Sequence, residues 1–158
     1  SMLAHSRLWE SFGAAVACAD ATNLDAPLGP VDWVVSSLAD PYNTPSFWAS
    51  LAQVLRPGGR AVVTLPAYEW AVRFRDERSS TPFHSAEFLL RDGSIVSVPS
   101  YLYPFAEQCR LIGASGLAIQ KFNSLGLNEL GDQPLSKKLK VFPSNFSSII
   151  WGFVLVRP

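Results

Sequence analysis

Apolar positions along this chain fall into two patterns: short continuous runs, and positions spaced as on one helix face. Residues 31–37 (Val-Asp-Trp-Val-Val-Ser-Ser) and 61–65 (Ala-Val-Val-Thr-Leu) are short runs rich in β-branched residues, as expected of strands buried in a parallel sheet. Between them, Phe47, Leu51, Val54 and Leu55 recur at helical spacing and should face that sheet. Thr44 is placed to cap this helix and Pro45 to occupy its first position. Pro57-Gly58-Gly59 stops it, because proline cannot continue the hydrogen-bond ladder and glycine accepts positive φ. A strand–helix–strand unit with short loops predicts parallel strands and a right-handed crossover.

The flanking segments extend this pattern. Residues 1–12 have helical spacing, with Gly13 as a stop. Residues 14–19 form an apolar run that suits a buried strand, followed by the polar turn Asp20-Ala21-Thr22-Asn23 and a loop marked by Pro27, Gly29 and Pro30. Residues 68–75 read as one or two helical turns. Arg73, Arg75, Asp76, Glu77 and Arg78 form a charged rim, and residues 79–85 a mobile loop. Residues 87–90 and 94–98 flank Arg91-Asp92-Gly93, an Asp-Gly hairpin signal. A helix is predicted over 104–111, closed by Gly113 and Gly116, and a strand over 117–122. Residues 123–147 are polar and irregular, with a basic patch at Lys137, Lys138 and Lys140. Residues 148–156 form a strongly apolar last strand. The predicted fold is α/β, a Rossmann-like, mostly parallel sheet flanked by helices, with a β-hairpin insertion and an antiparallel last strand.

Bulk composition narrows the function classes. The 158 residues suit one domain with one core, here spanning residues 1–158. Thirteen basic residues balance thirteen acidic ones, so capture of nucleic acid or an anionic membrane by bulk charge is not expected. No apolar run spans a bilayer, and residues 1–12 lack the apolar core of a signal peptide. Cys18 and Cys109 are far apart, match no metal spacing and sit in apolar sequence surroundings. They read as buried packing thiols of a reducing compartment, and the expected location is cytoplasmic.

Three motifs carry a resemblance to a known family. Cys18-Ala19-Asp20-Ala21-Thr22-Asn23-Leu24 is similar to the acidic motif after the third strand of class I S-adenosylmethionine-dependent methyltransferases. Val31-Asp32-Trp33-Val34-Val35-Ser36-Ser37-Leu38 is similar to their fourth strand and the segment behind it. Leu55-Arg56-Pro57-Gly58-Gly59-Arg60 is similar to the turn before their fifth strand. The hairpin and Trp151-Gly152-Phe153-Val154-Leu155-Val156 fit their last strands, and Ser1-Met2-Leu3-Ala4-His5 resembles the helix start after their second strand. The chain thus resembles the C-terminal two-thirds of the family. No G-x-G-x-G loop and no ribose-binding acid can be assigned, so an N-terminally truncated domain is expected.

The resemblance implies roles for particular residues. Asp20 would accept from the adenine amino group and Ala21 would offer its backbone N–H to the ring. Ser36, Ser37 and Leu38 would line the methionine side of S-adenosylmethionine. Asp40-Pro41-Tyr42-Asn43 is reminiscent of the Asp-Pro-Pro-Tyr motif of amino-group methyltransferases, with one proline missing. Tyr42, Tyr68, Trp70 and Arg73 are candidate substrate-binding residues, and His84 the candidate general base. No metal site is expected. In the resembled fold the strand at 31–37 has neighbours on both sides. Losing one leaves backbone groups unpaired at about 1–3 kcal/mol each. The expected compensation is a homodimer or swapped assembly, a shift of residues 14–19 into the gap, or cover by the first helix. The expected activity is methyl transfer to a small molecule, with a cofactor-free scaffold or partner-binding module as the alternative.

Overall fold

The computed structural model describes residues 7–16, 18–24, 30–75, 84–131, 139 and 148–158. The resemblance at Ser1–His5, the loop residues Pro27 and Gly29, the rim residues Asp76, Glu77 and Arg78, most of the 79–85 loop, and Lys137, Lys138 and Lys140 lie outside them.

The strand–helix–strand unit forms as its pattern predicts. Strand β1 (Val31–Ser36) leads through a 3-10 turn (Asp40–Tyr42) into helix α1 (Pro45–Val54), and strand β2 (Leu55–Pro66) follows. The Thr44 side chain accepts from the Phe47 amide, and Pro45 sits in the first turn, so the start signals act locally as expected. β1 and β2 are parallel. The turn at Pro57-Gly58-Gly59 is absorbed into β2 as an irregularity, because the register moves from Val31↔Leu55 to Trp33↔Arg60. Gly58 has φ +78, which favours glycine. The Gly58 amide donates to the Arg157 carbonyl at 2.8 Å, and the Arg157 amide donates to the Gly59 carbonyl at 2.9 Å. The Arg157 guanidinium donates to the carbonyls of Gln53 and Leu55, which lie at the end of α1. The chain's last residues therefore clamp the end of the crossover helix.

The remaining elements are a short helix α2 (Tyr68–Ala71) with a 3-10 turn (Val72–Phe74), strands β3 (Ser85–Leu89) and β4 (Ile95–Pro99), helix α3 (Phe105–Ala114), strand β5 (Ala118–Leu125) and strand β6 (Ile150–Val156). β3 and β4 make the hairpin announced by Arg91-Asp92-Gly93. Gly93 takes φ +84, and Asp92 Oδ1 accepts from both the amide and the hydroxyl of Ser94. Gly116, with φ +85, lies just past α3. Gly113 falls inside that helix rather than closing it.

The main sheet has the order β1-β2-β6-β5. β6 is antiparallel to both β2 and β5, so β1, β2 and β5 share one direction and the last strand alone runs against them. Ala61, Val63 and Leu65 pair with Leu155, Phe153 and Trp151, and all six are buried. Trp48, Leu51, Leu111 and Ile112 of α1 and α3 join this face in one core. Burying such a side chain stabilises by about 1.5–3 kcal/mol. The opposite face, with Val62, Thr64, Val154 and Val156, is only half-buried. It carries Trp33, 54% exposed, and Val35, 76% exposed, on β1.

Two expectations at the N-terminal side are corrected. Residues 14–16 and 18–19 are not strand, and most of them are exposed, so this run does not fill the gap beside β1. Apolar character alone does not make a strand: the backbone must also join a ladder, and the described residues of this run join none. The first helix is a 3-10 segment (Arg7–Phe12) whose Leu8, Trp9 and Phe12 are exposed rather than laid over the sheet. Cys18 is exposed, not a buried packing thiol, while Cys109 is half-buried; both are free. No helix among the described residues is long and apolar enough to cross a membrane.

Candidate functional site

Open parallel sheets bind ligands beyond the carboxyl ends of their strands. Here that end is shaped by a non-glycine in the left-handed region. Leu38, just past β1, has φ 52, a conformation costing about 1–2 kcal/mol. It is held because the Leu38 amide donates to Thr64 Oγ1 at 2.9 Å and the Ala39 amide to the Thr64 carbonyl at 2.9 Å. The backbone reversal turns Leu38 and Asp40 over the ends of β1 and β2.

A cavity of about 390 Å³ opens there. Leu38 and Asp40 bound it from the β1 side, Pro66 from the end of β2, and Ile149 and Ile150 from the start of β6. Trp70, Phe74 and Arg75 add the helical segment, and Ala86, Glu87 and Phe88 the hairpin. Its walls are mainly apolar, with a few convergent polar groups, the usual make-up of a small-molecule site. Trp70 and Phe74 pack ring to ring at 5.1 Å. The Trp70 indole N–H is buried without a hydrogen-bond partner among the described residues. A buried donor left unmet costs about 1–3 kcal/mol.

Polar order in the cavity centres on Arg75. Its guanidinium donates to the Ser85 carbonyl and to Ser100 Oγ, and Ser100 Oγ in turn donates to an Asp40 carboxylate oxygen. Burial lowers the Arg75 pKa from its ordinary value, and the nearby Asp40 charge opposes that shift. Ser100 is buried, and the Tyr101 amide donates to the Asp40 carbonyl at 2.8 Å. The array ties the hairpin, the segment before α3 and the end of β1 together. Beneath it, buried Asn43 uses all of its amide capacity. Its oxygen accepts from Trp48 Nε1 at 2.9 Å and Gln108 Nε2 at 3.2 Å, and its nitrogen donates to Gln108 Oε1 at 2.8 Å and the Tyr101 carbonyl at 3.0 Å.

The residues expected from sequence are distributed unevenly. Trp70 lines the cavity. Leu38 lines it too, and Ser36 and Ser37 directly precede it, Ser36 half-buried and Ser37 exposed. Tyr42 is 45% exposed and leans on Phe47 at 6.5 Å between ring centres. Tyr68 packs against the core. Arg73 is exposed, its Nε donating to the Glu69 carbonyl. His84 is exposed, with its ring 5.4 Å from Tyr101, and does not line the cavity. Asp20 sits in an Asx turn: one carboxylate oxygen, Oδ1, accepts from the Thr22 amide at 2.8 Å and the Thr22 hydroxyl at 2.7 Å. These bonds, the hydroxyl one foremost, lower the Asp20 pKa. The turn is anchored where the Leu24 amide donates to Ser50 Oγ of α1 at 2.7 Å, and Ala21 and Leu24 pack on the core. Arg75 was legible only as one of a run of charges, and Ser100 and Phe74 carry no local signal.

The fold has clear counterparts among solved structures. An S-adenosylmethionine-dependent methyltransferase described as putative, from Listeria monocytogenes, superposes with a TM-score of 0.65 at 13% identity, over 99% of this chain and 77% of that one. An S-adenosylmethionine-dependent methyltransferase from Clostridium acetobutylicum gives 0.62 at 12% identity, over 96% and 68%. The glycopeptide N-methyltransferase MtfA complexed with S-adenosylmethionine gives 0.53 at 14% identity, over 89% and 59%. The chain therefore has the class I methyltransferase fold, and it spans about two thirds of the length of such structures. No protein-family model matches the sequence, and no curated protein matches it.

Proposed function

We propose that this chain is the acceptor-binding and partial cofactor-binding portion of an S-adenosylmethionine-dependent methyltransferase acting on a small molecule. The observation that carries this is the mainly apolar cavity at the carboxyl ends of β1 and β2, on a methyltransferase fold. Bound S-adenosylmethionine would supply a sulfonium methyl for direct displacement by a nucleophile of the acceptor.

The residues present fit two ends of that cofactor. Asp20 Oδ1 carries both Thr22 bonds, which leaves Oδ2 for an exocyclic amine. The left-handed Leu38 presents backbone at the end of β1, beside the cavity. Among the described residues, nothing is assigned to the ribose hydroxyls. This chain's part in the reaction is then to hold the acceptor on apolar walls, orient it by the Asp40–Ser100–Arg75 array and keep water from it, a contribution of proximity and alignment.

Calorimetric titration with S-adenosylhomocysteine tests the reading. Binding at micromolar strength supports it; no heat at millimolar ligand overturns it and favours a cofactor-free scaffold. We further propose self-association through the outer edge of β1, which pairs with no strand among the described residues and where Trp33 and Val35 are exposed. Light scattering at micromolar concentration that returns a monomer mass refutes that part.

A further inference from the structure

We infer that the cavity selects an arylalkylamine, which is an ammonium ion at neutral pH, and rejects the corresponding organic acid. The inference rests on the cavity being the acceptor site proposed above. Three rings among the described residues bound it: Trp70, Phe74 and Phe88. Ring faces attract a cation and give an anion nothing in return. Among the described residues, three ionisable groups also line it, namely Asp40, Glu87 and Arg75, and with all three ionised they carry one excess negative charge.

The single cation among the described lining residues is already committed. Arg75 spends its donors on the Ser85 carbonyl and Ser100 Oγ, and the Asp40 charge offsets its own. A ligand carboxylate would have to displace these bonds and approach two carboxylates. Glu87 is different: it is exposed at the hairpin and has no ion pair among the described residues. An ammonium group lodged at Glu87 would keep its solvent contact while the aromatic body lies among the three rings.

Three probes with one aromatic body separate these effects: tyramine, the neutral 4-ethylphenol and the acid 4-hydroxyphenylpropionate, each titrated by calorimetry or ligand-observed NMR. Tyramine is expected to bind about tenfold more tightly than 4-ethylphenol, and the acid more weakly than either. Glu87→Gln, an exposed position that should leave folding intact, is expected to erase the tyramine advantage without changing 4-ethylphenol. Trp70→Phe is expected to weaken all three while the amine preference persists. Acid binding equal to or tighter than tyramine, or an unchanged tyramine preference in Glu87→Gln, overturns the inference. These titrations need no cofactor. An amine preference without S-adenosylhomocysteine binding would retain the cavity's selectivity and reject methyl transfer. Methyl transfer with no amine preference would do the reverse.

Discussion

The Asn43 amide is the point where the site's support can be tested most sharply. Among the described residues, Asn43→Ala removes the only acceptor of the Trp48 indole N–H and both partners of the Gln108 side-chain amide. Asn43, Trp48 and Gln108 are all at most 2% exposed, so solvent cannot replace these bonds without entering the core. An orphaned buried group costs about 1–3 kcal/mol, and three such groups together reach about 3–9 kcal/mol. Water occupying the vacated, polar-lined space would recover part of this. The expected loss is about 3–5 kcal/mol, a large share of a domain stability of about 5–15 kcal/mol. Urea denaturation followed by circular dichroism measures it, with Asn43→Asp as the companion variant. The aspartate keeps the acceptor for Trp48 but points a carboxylate at Gln108 Oε1 and the Tyr101 carbonyl. Its folded-state pKa should lie above its unfolded one, so the variant loses more stability, relative to the parent, as pH rises. A loss below about 1 kcal/mol for Asn43→Ala, or no pH trend for Asn43→Asp, would refute the claim that this amide is a fully used buried junction.

Neighbouring glycines should respond differently. A Cβ on Gly59 would stand 2.8 Å from the Arg56 carbonyl and 3.1 Å from that of Val31, whereas Gly58 has open space but φ +78. Gly59→Ala should cost about 1–3 kcal/mol from overpacking of backbone and Gly58→Ala about 1–2 kcal/mol from conformation alone, both read by denaturant midpoints. Asp20 has its pKa lowered by the Thr22 hydroxyl and amide, so the turn's contribution is present above an ordinary aspartate value of about 3.9 and is lost as pH falls through the lowered folded value. Carboxyl-detected NMR titration should show this, and Thr22→Val should move the Asp20 midpoint back up. Cys18 is exposed while burial raises the Cys109 pKa, so a disulfide reagent at pH 8 should label Cys18 first. Equal rates would contradict the burial difference.

Much of this molecule was legible locally. The cap at Thr44, the stop at Pro57-Gly58-Gly59, the Asp-Gly hairpin and the apolar runs of β1, β2 and β6 each carry their instruction within a few residues. Such signals act through dihedral preference, a missing N–H or a nearby side-chain acceptor, and so survive without knowledge of the fold. Strand status was legible only where a partner exists. The run at residues 14–19 has the same apolar character as β1, yet its described residues join no ladder, so apolar character alone does not make a strand.

The cavity belongs to the other category. Asp40 and Ser100 stand sixty residues apart and meet only because the hairpin folds back over the end of β1. Arg75 resembles Arg73 in sequence and differs from it by turning inward to the Ser85 carbonyl, whereas Arg73 is exposed. The left-handed Leu38 is imposed by Thr64 from the adjacent strand, against the residue's own preference. The chain's own residues determined which elements form and where they stop. Long-range pairing decided which polar groups converge, because convergence is set by strand order and register and leaves no mark on any single segment.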